Sequence, residues 1–416
     1  GALDVEALRR AFEALVRRHE VLRTVFPERE GAADPIVAPL DRWHLAMGGL
    51  DGAPGSPSDA DLWRLAEREA ARPFDLARDL PLRARLVRLT GEDHLLSLAM
   101  HHIAGDGWSL GILWRELGAL YGAFARGAVP ALGAVPCQMA DHAAWQRRWV
   151  GSAEGAAHLA YWRAKLAGAP PEIRLGDRPR PPLPRQLLGA AVTLELGAEL
   201  SERVRELGGG HGATPFVTLL AGFRALLASA LGERDVCIGT FMAGRTGREV
   251  EALIGPLFNT VVLRSRVAED ATFARLLAEE REVLAGAHDH QAMPFEELVE
   301  AVGAPRCQIL FASQHRSWDG MALAGLVAEP LHPPIPRPFR GRIHTARHDL
   351  AVHVVAGDRR LALHFWHDEA VLDRGTVQDL CRRYRDLLAY LVANPDGLVR
   401  AFPGSSIAGV DSRAGA

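Results

Sequence analysis

The hydrophobic and polar positions of this chain switch repeatedly between a helical and a strand period, which predicts a mixed α/β fold. The first helical pattern follows Asp4, whose side chain is suited to cap a helix. Apolar residues then recur at spacings of three and four and would form one buried helix face: Leu8, Phe12, Leu15 and Val16. The chain therefore opens with a predicted amphipathic helix.

A β-hairpin and a long helix are predicted next. Residues 82–89 alternate as a half-buried strand would, and a turn at 91–93 returns the chain into a second strand over 95–100. A long amphipathic helix follows, marked by Leu110, Leu113, Leu117, Leu120 and Phe124.

The composition changes at residues 169–184, where six prolines crowd together. Proline at this density prevents both helix and central strand, so we expect an extended linker between an N-terminal lobe (1–168) and a C-terminal lobe (185–416). In the second lobe the pattern predicts a strand over 191–196, a helix over 214–231, a strand over 235–240, a proline-rich surface crossing at 330–338 and a frayed tail at 405–416.

Charge and composition exclude several function classes. The 416 residues include 51 acidic and 48 basic side chains, a net charge of −3, whereas nucleic acid or an anionic membrane surface requires a basic excess. No apolar run has the length of a membrane span, and the first residues do not resemble a signal peptide, so we expect a cytoplasmic protein. Four widely spaced cysteines fit plain structural residues in a reducing compartment: Cys137, Cys237, Cys307 and Cys381.

The candidate chemistry lies where the strand over 95–100 runs directly into the sequence HHIAGDGWS at 101–109. Adjacent side chains on an extended segment point in opposite directions, so His101 and His102 cannot face one cavity together, and no metal site is predicted. The plainer interpretation is a core histidine followed by an aspartate, Asp106, that caps the next helix.

This segment resembles the HHxxxDG motif of nonribosomal peptide synthetase condensation domains. Four further segments resemble motifs of that family, in the family's order and spacing: RHEVLRTVF at 18–26, QMADHAAWQ at 138–146, IGPLFNTVVLR at 254–264 and HQAMPFE at 290–296. His142 stands where the second of these motifs usually has an aromatic residue. The seventh motif is shortened at 306–311, and the family's opening strand and first motif are absent, so we expect a trimmed N-terminus. No adenylation or carrier segment follows, so we expect either a free-standing monomeric enzyme or one domain of a longer chain.

The resemblance implies two lobes, each similar to chloramphenicol acetyltransferase, arranged in a V around a tunnel. Two carrier proteins would deliver acyl groups on phosphopantetheine arms, and no cofactor would be bound directly. An amine on the acceptor would attack the donor thioester, with a hydroxyl nucleophile as the alternative. The Trp108-Ser109 context slightly favours an L-configured donor.

The resemblance also assigns the reacting groups. His102 is preferred over His101 as the residue that touches the nucleophile, either as general base or as an anchor for the amine and the tetrahedral intermediate. The backbone N–H of Gly107 would donate to the developing oxyanion. His101 would support the site structurally.

Four further residues receive supporting roles. Asp106 is expected to be structural and to pair with Arg23, with a direct catalytic role as the alternative. Trp108 and Ser109 would pack and cap the following helix or line the substrate tunnel, where Ser109 could meet pantetheine. Asn259 would line the donor side of the cavity or stabilise a turn with its amide.

Other functions stay open. A coenzyme A-dependent acyltransferase would share HxxxDG and the two-lobed fold, but the segments at 18–26 and 290–296 favour the carrier-dependent family. An epimerisation domain is disfavoured by the Trp108 context and by residues 258–260, and a heterocyclisation domain would carry two aspartates in place of the histidines. A non-catalytic relative that recruits an oxygenase would have a degraded motif. Four histidines in strand-like stretches are expected to be surface or satisfied residues: His344, His348, His364 and His367.

Overall fold

The computed structural model describes residues 1–48, 58–173, 175, 189–230, 232–303, 307–313, 322–331, 348–357 and 359–402. Its helices and strands alternate along the chain, which confirms the predicted α/β class. The first part contains α1 (Val5–Arg18), β1 (Thr24–Val25), β2 (Glu28–Arg29), β3 (Ala32–Ala33), β4 (Ile36–Val37), β5 (Ala46–Gly48), α2 (Asp59–Ala71), β6 (Leu82–Arg88), β7 (His94–Met100), α3 (Gly107–Ala125) and α4 (Met139–Val150). The second part contains α5 (Ala153–Leu166), β8 (Gly189–Glu195), α6 (Ala198–Gly210), α7 (Pro215–Ala230), β9 (Asp235–Met242), α8 (Arg248–Glu251), β10 (Asn259–Arg266), α9 (Phe273–Asp289), α10 (Phe295–Val302), β11 (Ile309–Ser313), β12 (Leu350–Ala356), β13 (Leu361–Asp368) and α11 (Arg374–Ala393).

The chain forms two compact units, and each unit is built from three separate segments of the sequence. Unit 1 comprises Gly1–Gly151, Ala243–Phe258 and His315–Arg337, and unit 2 comprises Ser152–Met242, Asn259–Gln314 and Pro338–Ala416. The division thus differs from a single boundary at residues 169–184. One reason is α5, which packs with unit 2 because the Trp162 indole is completely buried there and donates a hydrogen bond to the carbonyl of His290 at 3.1 Å.

Most of the predicted proline-rich and terminal segments lie outside the described residues. Of the linker 169–184, the structure describes residues 169–173 and 175. Of the stretch 330–338 it describes residues 330 and 331, and the tail 405–416 is outside it. The predictions for these segments therefore stay predictions.

Unit 1 contains the predicted opening helix and hairpin. The Asp4 carboxylate accepts a hydrogen bond from the Ala7 N–H at 2.9 Å, which confirms the cap of α1. Strands β6 and β7 pair antiparallel and, with β5, form a three-stranded sheet. Helix α3 packs against α1 and is buried around most of its circumference, so the predicted amphipathic helix is a core helix.

Unit 2 is built on a six-stranded mixed sheet with the strand order β10-β9-β11-β12-β13-β8. Strand β11 runs parallel to both of its neighbours, β9 and β12. The other three strand pairs of this sheet are antiparallel. Helices α7, α9 and α11 pack together in its core. A completely buried ion pair joins two of these helices, because Arg224 of α7 lies 2.5 Å from Glu280 of α9.

One core position of this sheet is a histidine, which makes the stability of unit 2 dependent on pH. His367 of β13 is completely buried, and burial lowers its pKa, an effect that the carbonyl of Phe365 only partly opposes. A folded-state pKa below the unfolded value means that protonation favours unfolding. The contribution of His367 to stability is therefore present above about pH 6.5 and is lost as the pH falls through its lower folded-state pKa.

We predict that His367→Leu reduces the loss of unfolding free energy between about pH 7.5 and about pH 5.5, because the apolar side chain removes a buried group that must take up a proton. Chemical denaturation at a series of pH values measures this slope. His288→Leu, at an exposed position of the same unit, is the control and should keep the wild-type slope. Equal slopes for His367→Leu and the wild type would contradict the prediction.

Candidate active site

The two adjacent histidines at the end of β7 contact different neighbours. His101 is half-buried, its ring meets Phe74 edge-on with ring centroids 5.7 Å apart, and its Nδ1 accepts a hydrogen bond from the Ile103 N–H at 3.1 Å. His102 is exposed, and its ring lies 5.2 Å from that of Phe258. His102 is therefore the histidine whose imidazole is accessible.

Asp106 is the most heavily hydrogen-bonded side chain of the motif. It caps α3 by accepting from the Ser109 N–H at 2.8 Å and from the Ser109 hydroxyl at 2.7 Å. Arg245 binds both carboxylate oxygens, at 2.9 and 3.2 Å, and the N–H groups of Leu257 and Phe258 donate to Oδ2 at 3.2 and 3.3 Å. With six donors around a carboxylate that is only 6% exposed, its lone pairs are used within the protein.

The predicted partner of Asp106 was wrong. Arg23 lies in a short 3₁₀ turn after α1, where its guanidinium donates to the carbonyl of Ala38 at 2.8 Å and faces Glu20 at 3.7 Å. Arg245, which lies outside all five motifs and was not predicted, reaches Asp106 instead, and its side chain is 2% exposed. It follows β9, far from the HHxxxDG segment in sequence.

A local sequence signal does mark Arg245. It lies in the segment AGRTG directly after a strand, and Gly244 adopts a φ of +65° that disfavours other residues. A Cβ at Gly244 would lie 1.9 Å from the carbonyl oxygen of Leu257. The glycine therefore allows the chain to pass close to residue 257 and to direct Arg245 towards Asp106.

The residues that follow Asp106 divide into buried and exposed positions. Ser109 is completely buried, and its hydroxyl accepts from the Gly255 N–H at 3.1 Å. Ser109 is therefore a packed residue in the first turn of α3, whose cap is Asp106, and its role in the substrate tunnel stays a prediction. Gly107 and Trp108 are exposed, and the Trp108 indole donates to the carbonyl of Glu251 at 3.1 Å.

Asn259 begins β10 in unit 2, and its side-chain amide is engaged with backbone. Nδ2 donates to the carbonyls of Gln291 and Met293 at 2.8 and 2.6 Å, and Oδ1 accepts from the Phe295 N–H at 3.1 Å. These bonds stabilise the turn of the HQAMPFE segment, as one of the two sequence interpretations expects. A role in lining the donor side of the cavity stays a prediction.

The RHE segment also has a structural function. His19 and Arg18 both contact the carboxylate of Glu116 on α3, at 2.7 and 3.0 Å. Burial alone would raise the pKa of Glu116, but the hydrogen bonds and charges of His19 and Arg18 lower it below its usual value. The segment thus fixes α1 to α3, the helix that begins at Gly107.

His142, the departure from the family's usual aromatic residue, lies near the same arginine as the motif aspartate. Its ring is 5.4 Å from that of Trp145 on α4. Burial and the positive charge of Arg245 both lower the pKa of His142. A positively charged imidazole is therefore disfavoured at this position.

Three buried cysteines and two of the later histidines have features of structural residues. Burial raises the pKa of Cys237 to about 11 and that of Cys307 and Cys381 to about 12, so these thiols are protonated near neutral pH. His348 binds the carbonyl of Cys307 at 2.7 Å and His364 the hydroxyl of Thr193 at 2.9 Å, while His344 is outside the described residues. Within the described ranges, no cluster of three or more metal-ligating side chains is present.

None of the described helices is by itself long and apolar enough to cross a membrane, and α6 and α7 meet that test only jointly, with a 102° bend between them.

We predict that Asp106→Ala and Arg245→Ala each lower the free energy of unfolding by about 3–5 kcal/mol, because either change leaves the other charge buried without its partner. The double variant should lose much less than the sum of the two, since it removes both charges. Chemical denaturation of the four proteins measures this coupling. The exposed pair Arg275 and Glu279 is the matched control, for which we expect no resolvable coupling. Unchanged stability of Asp106→Ala would argue against the structural role and favour a catalytic one.

Comparisons with a family model and with curated proteins agree on one family. The condensation-domain family model matches residues 1–403. The chain is 36% identical over 411 residues to a linear gramicidin synthase of Brevibacillus parabrevis and 37% identical over 417 residues to the phosphinothricin tripeptide synthetase PhsC of Streptomyces viridochromogenes. These alignments cover 97% and 96% of this chain but only 8% and 37% of the two relatives, so the chain corresponds to one part of each.

Solved structures agree with the sequence matches. The X-domain from teicoplanin biosynthesis superposes with a TM-score of 0.83 at 27% identity, covering 96% of this chain and 90% of that one. The first condensation domain of the calcium-dependent antibiotic synthetase, in complex with a substrate analogue, has a TM-score of 0.71 at 24% identity, covers 96% of this chain and 91% of that one, and supports the fold alone. The family match over nearly the whole chain and the two synthetase relatives agree with the motif geometry: this chain belongs to the condensation-domain family.

Proposed function

We propose that this chain is a condensation enzyme of nonribosomal peptide biosynthesis, which joins a thioester-bound acyl or aminoacyl donor to an acceptor amine. The observation that carries the proposal is the accessible imidazole of His102, next to the first turn of α3 in an intact HHxxxDG segment. The family match supports the same reaction class.

The reaction needs proximity more than strong activation. The amine nitrogen attacks the thioester carbonyl, a C–N bond forms, and the carbon–sulfur bond breaks when the tetrahedral intermediate collapses and releases the thiolate. The proton lost by the amine neutralises that thiolate directly or through His102. Holding two reactants in contact can contribute roughly 7–11 kcal/mol to the acceleration.

His102 and Gly107 would act on the reacting atoms. Histidine exchanges protons near neutral pH, so the exposed imidazole of His102 is suited to accept the amine proton or to orient the amine. Gly107 is the first residue of α3, where backbone N–H groups have no partner within the helix and the helix dipole favours negative charge. We assign its N–H to the oxyanion of the intermediate.

Other residues would position this pair or line the passage. Asp106 and Arg245 would act as positioning residues, because the N–H of Phe258 binds Asp106 while the Phe258 ring lies against His102. Half-exposed Trp108 is our candidate for the substrate passage. The hydroxyl alternative for the nucleophile stays open.

Condensation domains of peptide synthetases work with acyl groups on carrier-bound phosphopantetheine, and we extend this to the present chain. Donor and acceptor carrier proteins would be its partners, and no cofactor would be bound directly. Four free thiols suit a reducing cytoplasm, where we place the protein.

A binding function is the second candidate, because the teicoplanin X-domain shares this fold at a TM-score of 0.83. A related structure contains that X-domain in complex with OxyB. A recruitment module would not need an accessible His102, so this residue separates the two functions.

We predict that His102→Ala lowers turnover with loaded carriers by about 100-fold or more, because a positioned proton acceptor contributes at least that much. The melting temperature should stay unchanged, since the side chain is exposed. Product formation by mass spectrometry and thermal unfolding measure the two effects. His44→Ala, at another exposed position of unit 1, should keep full turnover. Near-normal turnover of His102→Ala would favour the binding function or a different catalytic residue.

The carrier requirement gives a second prediction. The same acyl group should react about 100-fold less efficiently from coenzyme A than from a carrier protein, because carrier docking raises the effective concentration of the thioester. The measurement is kcat/KM for the two donors with one acceptor. Equal efficiency would replace the carrier-dependent function with that of a coenzyme A-dependent acyltransferase.

A further inference from the structure

An open cavity of about 260 Å³ lies on unit 1, against the three-stranded sheet of β5, β6 and β7. Its wall includes Ser97 and Ala99 of β7, which pair in register with Arg85 and Arg83 of β6. The small side chains on one strand leave space above the sheet. The long side chains on the other strand bring guanidinium groups to it.

Five arginines line this cavity: Arg42, Arg72, Arg78, Arg83 and Arg85. Only two carboxylates line it with them, and each is already bound to an arginine. Asp79 pairs with Arg83 at 2.9 Å and Glu69 pairs with Arg85 at 2.6 Å. The cavity therefore has an excess of three positive charges on its described lining.

The three remaining arginines lie at the solvent side. Arg42, Arg72 and Arg78 are exposed, and none of them forms an ion pair with a carboxylate among the residues that line the cavity. The Arg42 guanidinium donates to the backbone carbonyl of Arg78 at 2.5 Å, so these two arginine residues are adjacent. Arg78 faces Asp75 outside the cavity at 3.9 Å, a weak exposed contact that leaves its charge largely available.

The cavity is separate from the candidate active site. Leu96, Leu98 and Met100 of β7 pack into the core of unit 1, whereas Ser97 and Ala99 lie on the opposite face with the cavity. His101 continues the cavity face, because its ring meets the ring of Phe74. The guanidinium of Arg83, which lines the cavity, lies 3.7 Å from the centroid of the Phe74 ring. His102 lies in the turn after β7, and its ring contacts Phe258.

We propose that this cavity, the arginine pocket, binds a small compound that carries one or two phosphate groups. A phosphate ester carries about −1.5 to −2 charges near neutral pH, and the planar guanidinium group binds its oxygens with two parallel hydrogen bonds. The size of the cavity suits a phosphate or diphosphate group with few further atoms, and Trp43, Leu80 and Leu82 supply apolar walls. The site goes beyond the proposed reaction, because none of the residues that line it belongs to the candidate active site.

Isothermal titration with inorganic pyrophosphate at constant ionic strength tests the proposal. We expect saturable binding to the wild type, about tenfold weaker binding to Arg72→Ala and about 100-fold weaker binding to Arg42→Ala/Arg72→Ala, since each lost charge-assisted hydrogen bond changes affinity by at least about tenfold. These exposed side chains form no ion pair in the cavity lining, so both variants should keep the wild-type melting temperature.

Arg147→Ala/Arg148→Ala is the matched control, because it removes the same charge from exposed positions on α4 of the same unit. This control should bind pyrophosphate as the wild type does. Absence of saturable binding to the wild type, or equal weakening in both double variants, would overturn the proposal. Neither result depends on condensation activity, so the arginine pocket and the proposed reaction can fail separately.

Discussion

The bidentate pair of Asp106 and Arg245 is the interaction on which the candidate site depends. Burying two charges costs more free energy than a single contact returns, so such a pair persists only where further hydrogen bonds satisfy the remaining atoms. Here the carboxylate also caps α3 and binds the N–H groups of Leu257 and Phe258. One side chain thereby fixes a helix N-terminus and a distant segment of chain beside the motif.

Most residues of the recognisable motifs build this scaffold. Arg18 and His19 bind Glu116, and Ser109 is buried within the first turn of α3. Asn259 stabilises a turn through three hydrogen bonds with backbone groups. Against this rigid background His102 is exposed, in contact with one aromatic ring. Much of what makes the motifs recognisable is therefore carried by side chains whose hydrogen bonds are formed within the protein.

Local periodicity and capping were enough to predict α1, the β6–β7 hairpin, β8, α7 and β9 to within a few residues, since those signals depend on neighbours in sequence. The family resemblance supplied the fold and the motif. Long-range contacts were not accessible in the same way: the glycines beside Arg245 mark a turn, but nothing local shows that Arg245 and not Arg23 reaches Asp106. The grouping of residues 243–258 with unit 1 has the same cause, since it depends on hydrogen bonds to a residue about 140 positions earlier.

The orientation of His101 follows from the burial of the strand before it. Leu96, Leu98 and Met100 pack against the core of unit 1, so the two-residue period of β7 directs the residues between them to the opposite face, which His101 continues, whereas His102 lies in the turn after the strand. A slip of one residue would expose those three apolar side chains, so the hydrophobic free energy of the hairpin opposes the wrong register. The same alternation places Arg83 and Arg85 on the face away from the core, where the arginine pocket lies. The packing of one strand pair thus directs apolar side chains into the core of unit 1 and brings long basic side chains to the opposite face of the sheet.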